Sequence, residues 1–306
     1  MQSNKNIAIL LGLISALFFA LTFVFNRLMS VQGGHWIWSA SFRYFWTALL
    51  LFVLVLFSKK LTPVIKAIKE KPAQWLLWST IGFGFFYAPL TFASAFGPSW
   101  LIAGTWQVTI VAGIIVAPII QKTRFKKSIP VQTFLFSFII LLGVGIMHAG
   151  QARQVSSKDL LLGIAPVLVA AFAYPIGNRK MMQITIGKLN ALQRTFGMTV
   201  ASLPFWIVLS GFGISIKKFP SPTQINQTLI VAICSGVIAT VLFFKATDKV
   251  QKDNKALAAV EATQSTEVLF AMLGELLILN ESLPDMYAIA GGLFVLSGML
   301  LHSFKK

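Results

Sequence analysis

Ten apolar runs, each of about 20 residues and long enough to span a bilayer, follow one another along the chain with short polar breaks between them. They cover approximately 7–27, 36–58, 73–94, 99–120, 130–149, 160–179, 189–211, 225–247, 255–279 and 285–304. A helix satisfies its own backbone groups in lipid, and at about 1.5 Å per residue such a run crosses a hydrocarbon core of about 30 Å. The pattern predicts an all-α polytopic membrane protein of ten transmembrane helices, numbered here helix 1 to helix 10. Glycines and prolines punctuate the gaps: Gly33-Gly34, Pro63, Gly97-Pro98, Pro130, Pro220, Pro222 and Pro284. The gaps are too short to hold a soluble domain.

One run breaks the apolar rule. Residues 255–284, KALAAVEATQSTEVLFAMLGELLILNESLP, carry Glu261, Glu267 and Glu275. A carboxylate in hydrocarbon costs roughly 2.5–3.5 kcal/mol on insertion scales, so each must find water, a cation or a substrate. At about 100° per residue, Glu261, Gln264, Ser265, Val268, Met272 and Glu275 fall on one stripe, and Glu267 lies about 120° from Glu261. A uniform α-helix cannot aim both stripes into one narrow chamber. Glu267 is nearest the midplane and is the candidate coupling acid, placed to meet a cationic substrate or a proton. Glu261 is a second candidate, whereas Glu275 and Glu281 read as structural charges near the outer interface.

The chain also repeats itself. FVFNR (23–27) matches YPIGNR (174–179), and FRYFWT (42–47) matches QRTFGMT (193–199), both with Arg-x-Phe. TWQVT (105–109) matches ATQST (262–266), and GVGIMH (143–148) matches SGMLLH (297–302). Four matches in one order point to a duplication, with units 1–150 and 151–306. Five spans per unit is odd, so the second copy enters the membrane from the opposite side. The expected fold is two inverted five-helix repeats, a plan common among secondary transporters. The repeat sets Gln107 against Gln264 as a polar floor, with Trp106 beside it to stack on a flat or cationic ligand. Tyr87 with Pro89, and Tyr174 with Pro175, put hydroxyls beside helix breaks. Arg43 and Arg194 stand near opposite ends as candidate gate or substrate residues. Asn26 and Asn178 read as caps at the ends of helices 1 and 6.

Composition narrows the class. The chain has 306 residues, 56% of them hydrophobic and 11% charged, and its net charge is +17. The mean hydropathy is +0.77. The cations cluster in alternate gaps: 59–71, 122–127, 179–188, 245–255 and both termini are rich in lysine and arginine, and the intervening gaps hold Arg27, Arg153, Lys158, Lys217 and Lys218. This alternation puts both termini in the cytoplasm and argues against a nucleic-acid partner. Trp36, Trp38, Trp75, Trp78 and Trp100 lie near helix starts, where an aromatic belt is expected. The run after Lys5 is long enough to remain as an anchor rather than a cleaved leader. Cys234 is the sole cysteine, so no internal disulfide forms, and His35, His148 and His302 lack metal-binding spacing. No GxxxxGK[ST] or GxGxxG motif is present, so no ATPase domain, cofactor or metal is expected.

EVLFAMLGELLILNESLP (267–284), together with the paired motifs, resembles the drug/metabolite transporter superfamily in its ten-helix EamA-type form. The chain departs from that pattern where Val268 replaces the usual proline and Asn280-Glu281-Ser282 replaces Gly-Glu-Arg. Within the superfamily it is most similar to the multidrug-resistance efflux group. The resemblance implies a plasma-membrane transporter, not an enzyme, with a central cavity opened alternately to each side. The small four-helix exporters of the superfamily use a glutamate in their first helix. Helices 1 and 6 carry none here, so a coupling carboxylate must lie on helix 9. The expected activity is secondary transport, with export of small metabolites or cationic, amphipathic drugs, by a monomer or homodimer in the bilayer. Uptake or exchange of a small metabolite is the alternative. A membrane enzyme would need paired acids or a His/Ser/Asp set on its loops, and the inner gaps offer only Glu70, Asp248 and Asp253. A channel or scaffold is the third class, separated from a carrier by saturable, gradient-driven flux.

Overall fold

The computed structural model describes residues 2–121, 131–151, 156–281 and 284–304. The expected cations at Lys122, Arg124, Lys126, Lys127, Arg153, Lys305 and Lys306, and the break at Pro130, lie outside the described residues, as does the side chain of His302. Among the described residues there are helices and turns and no strand. Among the described residues, eight helices are long and apolar enough to cross a membrane. They are helix 1 (Gln2–Val31), helix 2 (Trp36–Phe57), helix 3 (Pro72–Ala93), helix 4 (Ser99–Trp106 and Val108–Gln121), helix 6 (Ser157–Thr185), helix 7 (Ala191–Ser215), helix 8 (Pro222–Val250) and helix 9 (Ala256–Leu279). Helix 5 (Val131–Gln151) and helix 10 (Met286–Phe304) carry shorter apolar stretches, Leu135–Gly150 and Met286–Leu301.

The bundle is apolar outside and keeps its membrane-depth polar side chains within an otherwise apolar interior. Val208 and Leu277 are each 74% exposed, while Arg43, Gln107, Gln264 and Glu267 are buried. In water such an exterior would be an aggregation patch. In lipid it is the solvent-matched face. The chain is therefore a multi-pass membrane protein.

Small residues set the closest crossings. Helices 3 and 6 meet at Gly82 and Gly177, where a Cβ on Gly177 would lie 2.3 Å from the Gly82 backbone. Helices 5 and 10 meet at Gly143 and Gly291, where a Cβ on Gly143 would lie 2.5 Å from the Gly291 carbonyl oxygen. Gly145, two residues on, has nothing within 4 Å of such a Cβ. Helix 1 packs on helices 8 and 9, and helix 6 packs on helices 3 and 4. Helix 2 packs on helix 7, and helix 5 on helix 10.

Three expectations require correction. Residues 59–71 are not a plain loop, because Leu61–Glu70 forms a short helix. Its Val64 is buried, and Trp75 Nε1 donates to the Ala67 carbonyl at 2.9 Å. The tryptophans do not all face lipid. Trp38, Trp75 and Trp100 are buried in protein, and Trp38 Nε1 donates to the Lys218 carbonyl. Helix 6 runs on to Thr185 and helix 1 to Val31, so Asn178 and Asn26 lie inside helices rather than at caps. Terminal turns rich in polar residues still close helical hydrogen bonds, which an apolar-run count cannot register.

Candidate functional site

Helices 1, 3, 4, 6, 7, 8 and 9 enclose one chamber. Its free space for water-sized molecules is about 60 Å³, room for a few waters at roughly 10–15 Å³ each. A drug-sized ligand therefore fits only if the chamber widens.

Helix 9 gives this chamber its chemistry, and it does so by leaving α geometry. Thr263–Thr266 forms a 3₁₀ segment. A 3₁₀ turn advances about 120° per residue, so across it the offset between Glu261 and Glu267 shrinks from about 120° to roughly 40°. Both acids, with Gln264 between them, line the same chamber. The expectation that one stripe must turn away assumed a uniform helix and is corrected here. Helix 4 tightens at the matching motif: Gln107 N–H donates to the Gly104 carbonyl at 3.0 Å, and Ile110 N–H to the Gln107 carbonyl at 3.0 Å, both spanning three residues. Helix 3 widens into a π turn at Thr80–Gly84, one turn before Pro89, which lacks the N–H that would close the ladder there.

The two acids differ in their partners. Arg179 Nη2 donates to Glu261 Oε1 at 2.7 Å and Oε2 at 2.6 Å. Gly113 leaves room for this pair, since a Cβ there would sit 3.1 Å from Arg179 Nη2. Glu267 is 1% exposed, and its Oε2 has no hydrogen-bond partner among the described residues. Glu275 lies farther along. Its carboxylate accepts from Ser99 Oγ at 2.7 Å, Ser99 N at 3.2 Å and Trp100 N at 3.4 Å. It thereby caps the positive N-terminus of helix 4.

Of the other candidates, Trp106, Tyr174 and Arg194 line the chamber. The Tyr174 ring packs against Phe86 at 4.7 Å and Trp106 at 5.4 Å, and Phe86 against Trp106 at 4.9 Å. Arg194 Nη1 donates to Asp248 Oδ1 at 2.6 Å, with the guanidinium 4.4 Å over Phe244. Gln264 Nε2 donates to the Gly12 carbonyl at 3.2 Å. Gln107, Tyr87 and Arg43 stand behind the wall. Gln107 Nε2 bonds the Ala103 carbonyl at 2.9 Å, so the paired glutamine floor has only Gln264 at the surface. Arg43 Nη2 donates to Ser235 Oγ at 2.9 Å, and its guanidinium lies 4.1 Å over the Tyr87 ring. Arg179 and Asn178, also at the wall, were not singled out by sequence reasoning as site residues. Arg179 sits among topological cations in sequence, and only its inward face on helix 6 reveals it.

The apolar exterior and the all-helical bundle, with two acids inside a largely apolar chamber, define a multi-pass membrane protein rather than a soluble one. Residues 6–306 match the family model EmrE, described as "Putative multidrug resistance efflux transporter". The chain belongs to that transporter family. It is 45% identical to "Uncharacterized protein YjlA" of Bacillus subtilis (strain 168), over 98% of this chain and 95% of that protein. It is 43% identical, over 85% of this chain and 70% of the relative, to "Uncharacterized 42.1 kDa protein in intracellular alkaline protease 3'region" of Shouchella clausii. A solved chain described as "Crystal structure of protein" superposes with a TM-score of 0.68, covering 96% of this chain and 95% of that one at 10% identity, a likeness of fold alone.

Proposed function

We propose that this protein is a secondary transporter that exports small cationic, amphipathic compounds by alternating access, with Glu267 as the acid that meets the cation or a proton. The observation that carries this is Glu267 itself: a buried carboxylate whose Oε2 has no hydrogen-bond partner among the described residues, in a chamber walled by Phe86, Trp106, Tyr174 and Phe243. Aromatic faces and a lone acid are what an organic cation needs on leaving water. The ten spans form two inverted repeats, 1–150 and 151–306. The exchange of contacts supports this, since helix 1 meets 8 and 9 as helix 6 meets 3 and 4. Both termini lie in the cytoplasm and the protein resides in the plasma membrane, as a monomer or homodimer. The alternative, uptake or exchange of an anionic metabolite, draws on Arg179 and Arg194 at the wall, but both are already neutralised by Glu261 and Asp248.

Proteoliposomes with an imposed proton gradient test the reading, with tetraphenylphosphonium as the probe. Wild type is expected to give saturable flux, and Glu267→Gln to lower it at least about ten-fold, the loss of an interaction of roughly 1.4 kcal/mol or more. Equal flux and equal pH dependence in the two proteins would remove Glu267 from the mechanism.

A further inference from the structure

A second group at the chamber wall lacks a partner. Both amide atoms of Asn178, Nδ2 and Oδ1, are buried with no hydrogen bond among the described residues. Leaving such groups unmet costs on the order of 1–3 kcal/mol each. The first half of the chain holds a counterpart that is met. Asn26 of FVFNR corresponds to Asn178 of YPIGNR, and the Asn26 amide lies 3.2 Å from the Tyr87 hydroxyl. Tyr87 is the ring beneath Arg43, at 4.1 Å. Arg194 shares the Arg-x-Phe motif with Arg43 and lies 4.4 Å over Phe244. Phe244 thus stands in the second half where Tyr87 stands in the first, without the hydroxyl.

We infer that the substrate supplies this hydroxyl: the chamber takes an aromatic monocation with its amine at Glu267 and a hydroxyl at Asn178. The inference rests on the reading of Glu267 as the cation's partner and adds the other end of the ligand. Charge sets the valence, because Glu261 is neutralised by Arg179, whereas Glu267 makes no salt bridge and its Oε2 no hydrogen bond among the described residues. Spacing sets the length. Arg179 pairs with Glu261, which puts Asn178 near that layer, and Glu267 lies six residues farther along helix 9, roughly 10 Å. The rings of Trp106 and Tyr174 border the space between. A site built to bond a hydroxyl rejects the analogue that lacks it.

Tyramine and phenethylamine differ by that hydroxyl alone. Binding of each to the purified full chain, followed by tryptophan quenching, is expected to favour tyramine at least about ten-fold. Asn178→Leu should bring the two amines to parity without lowering the unfolding temperature of the unliganded protein, because no native bond is lost. Phe244→Tyr, which provides the hydroxyl from the protein, should also abolish the preference. Equal binding of both amines by wild type, with both lost in Glu267→Gln, overturns this inference and leaves the cation reading standing. Failure of both amines to bind wild type overturns the two together. A lower unfolding temperature for unliganded Asn178→Leu, with the preference retained, makes Asn178 a structural residue and also overturns the inference.

Discussion

Arg179 and Glu261 show how little a residue's sequence neighbourhood says about its work. Arg179 stands beside Lys180 in a gap assigned to topology, yet its side chain is only 10% exposed and bonds both oxygens of Glu261. Removing one partner of a buried pair strands the other charge. Arg179→Ala is therefore expected to destabilise the protein by about 3 kcal/mol, the low end for a buried pair because Glu261 keeps some solvent contact. Replacing both partners by leucine should recover most of that. Thermal unfolding in detergent checks both variants, and a single variant as stable as wild type would contradict the assignment. Glu267, by contrast, was legible from depth alone, as a carboxylate in the middle of an apolar run. Asn178 was not, since an asparagine near the end of an apolar run reads first as a cap.

Helices deviate from ideal geometry where the chamber lies, and those deviations separate what the sequence discloses from what it hides. The apolar runs located the helices to within about two turns at each end. The repeat motifs TWQVT and ATQST marked the two places where helices 4 and 9 tighten. What the tightening does to side-chain direction could not be read, because a face argument at 100° per residue presumes the α-helix it is testing. The short helix Leu61–Glu70 was hidden for another reason: it is half the length of a span and rich in lysine, so hydropathy passes over it. The crossing of helices 3 and 6 yields a prediction at this scale. A methyl group on Gly177 has no space against Gly82, so Gly177→Ala should cost about 1–3 kcal/mol or more by overpacking. Gly145→Ala, with open space around it, should be neutral or should stabilise by up to about 1 kcal/mol through helix propensity. Equal effects of the two substitutions on detergent unfolding would contradict the packing described.

Across the whole molecule, the contacts around the chamber fall into two sets. One end of the chamber is tied by Arg179–Glu261 and Arg194–Asp248. The other is tied by Arg43–Ser235, Asn26–Tyr87 and the Glu275 cap on helix 4. A carrier must break one set while keeping the other, and the two sets differ in kind: ion pairs at one end, mostly hydroxyl and amide contacts at the other. The central claim, that this chamber opens to each face in turn, is tested most directly by thiol accessibility. Gln264 lines the chamber and is buried, and Cys234 is the native thiol to be removed first. With Gln264→Cys in a Cys234→Ser background, a membrane-impermeant thiol reagent is applied to oriented vesicles from one face and then from the other. The account predicts modification from both faces, slowed by tetraphenylphosphonium. Modification from one face only, or from neither, would contradict it.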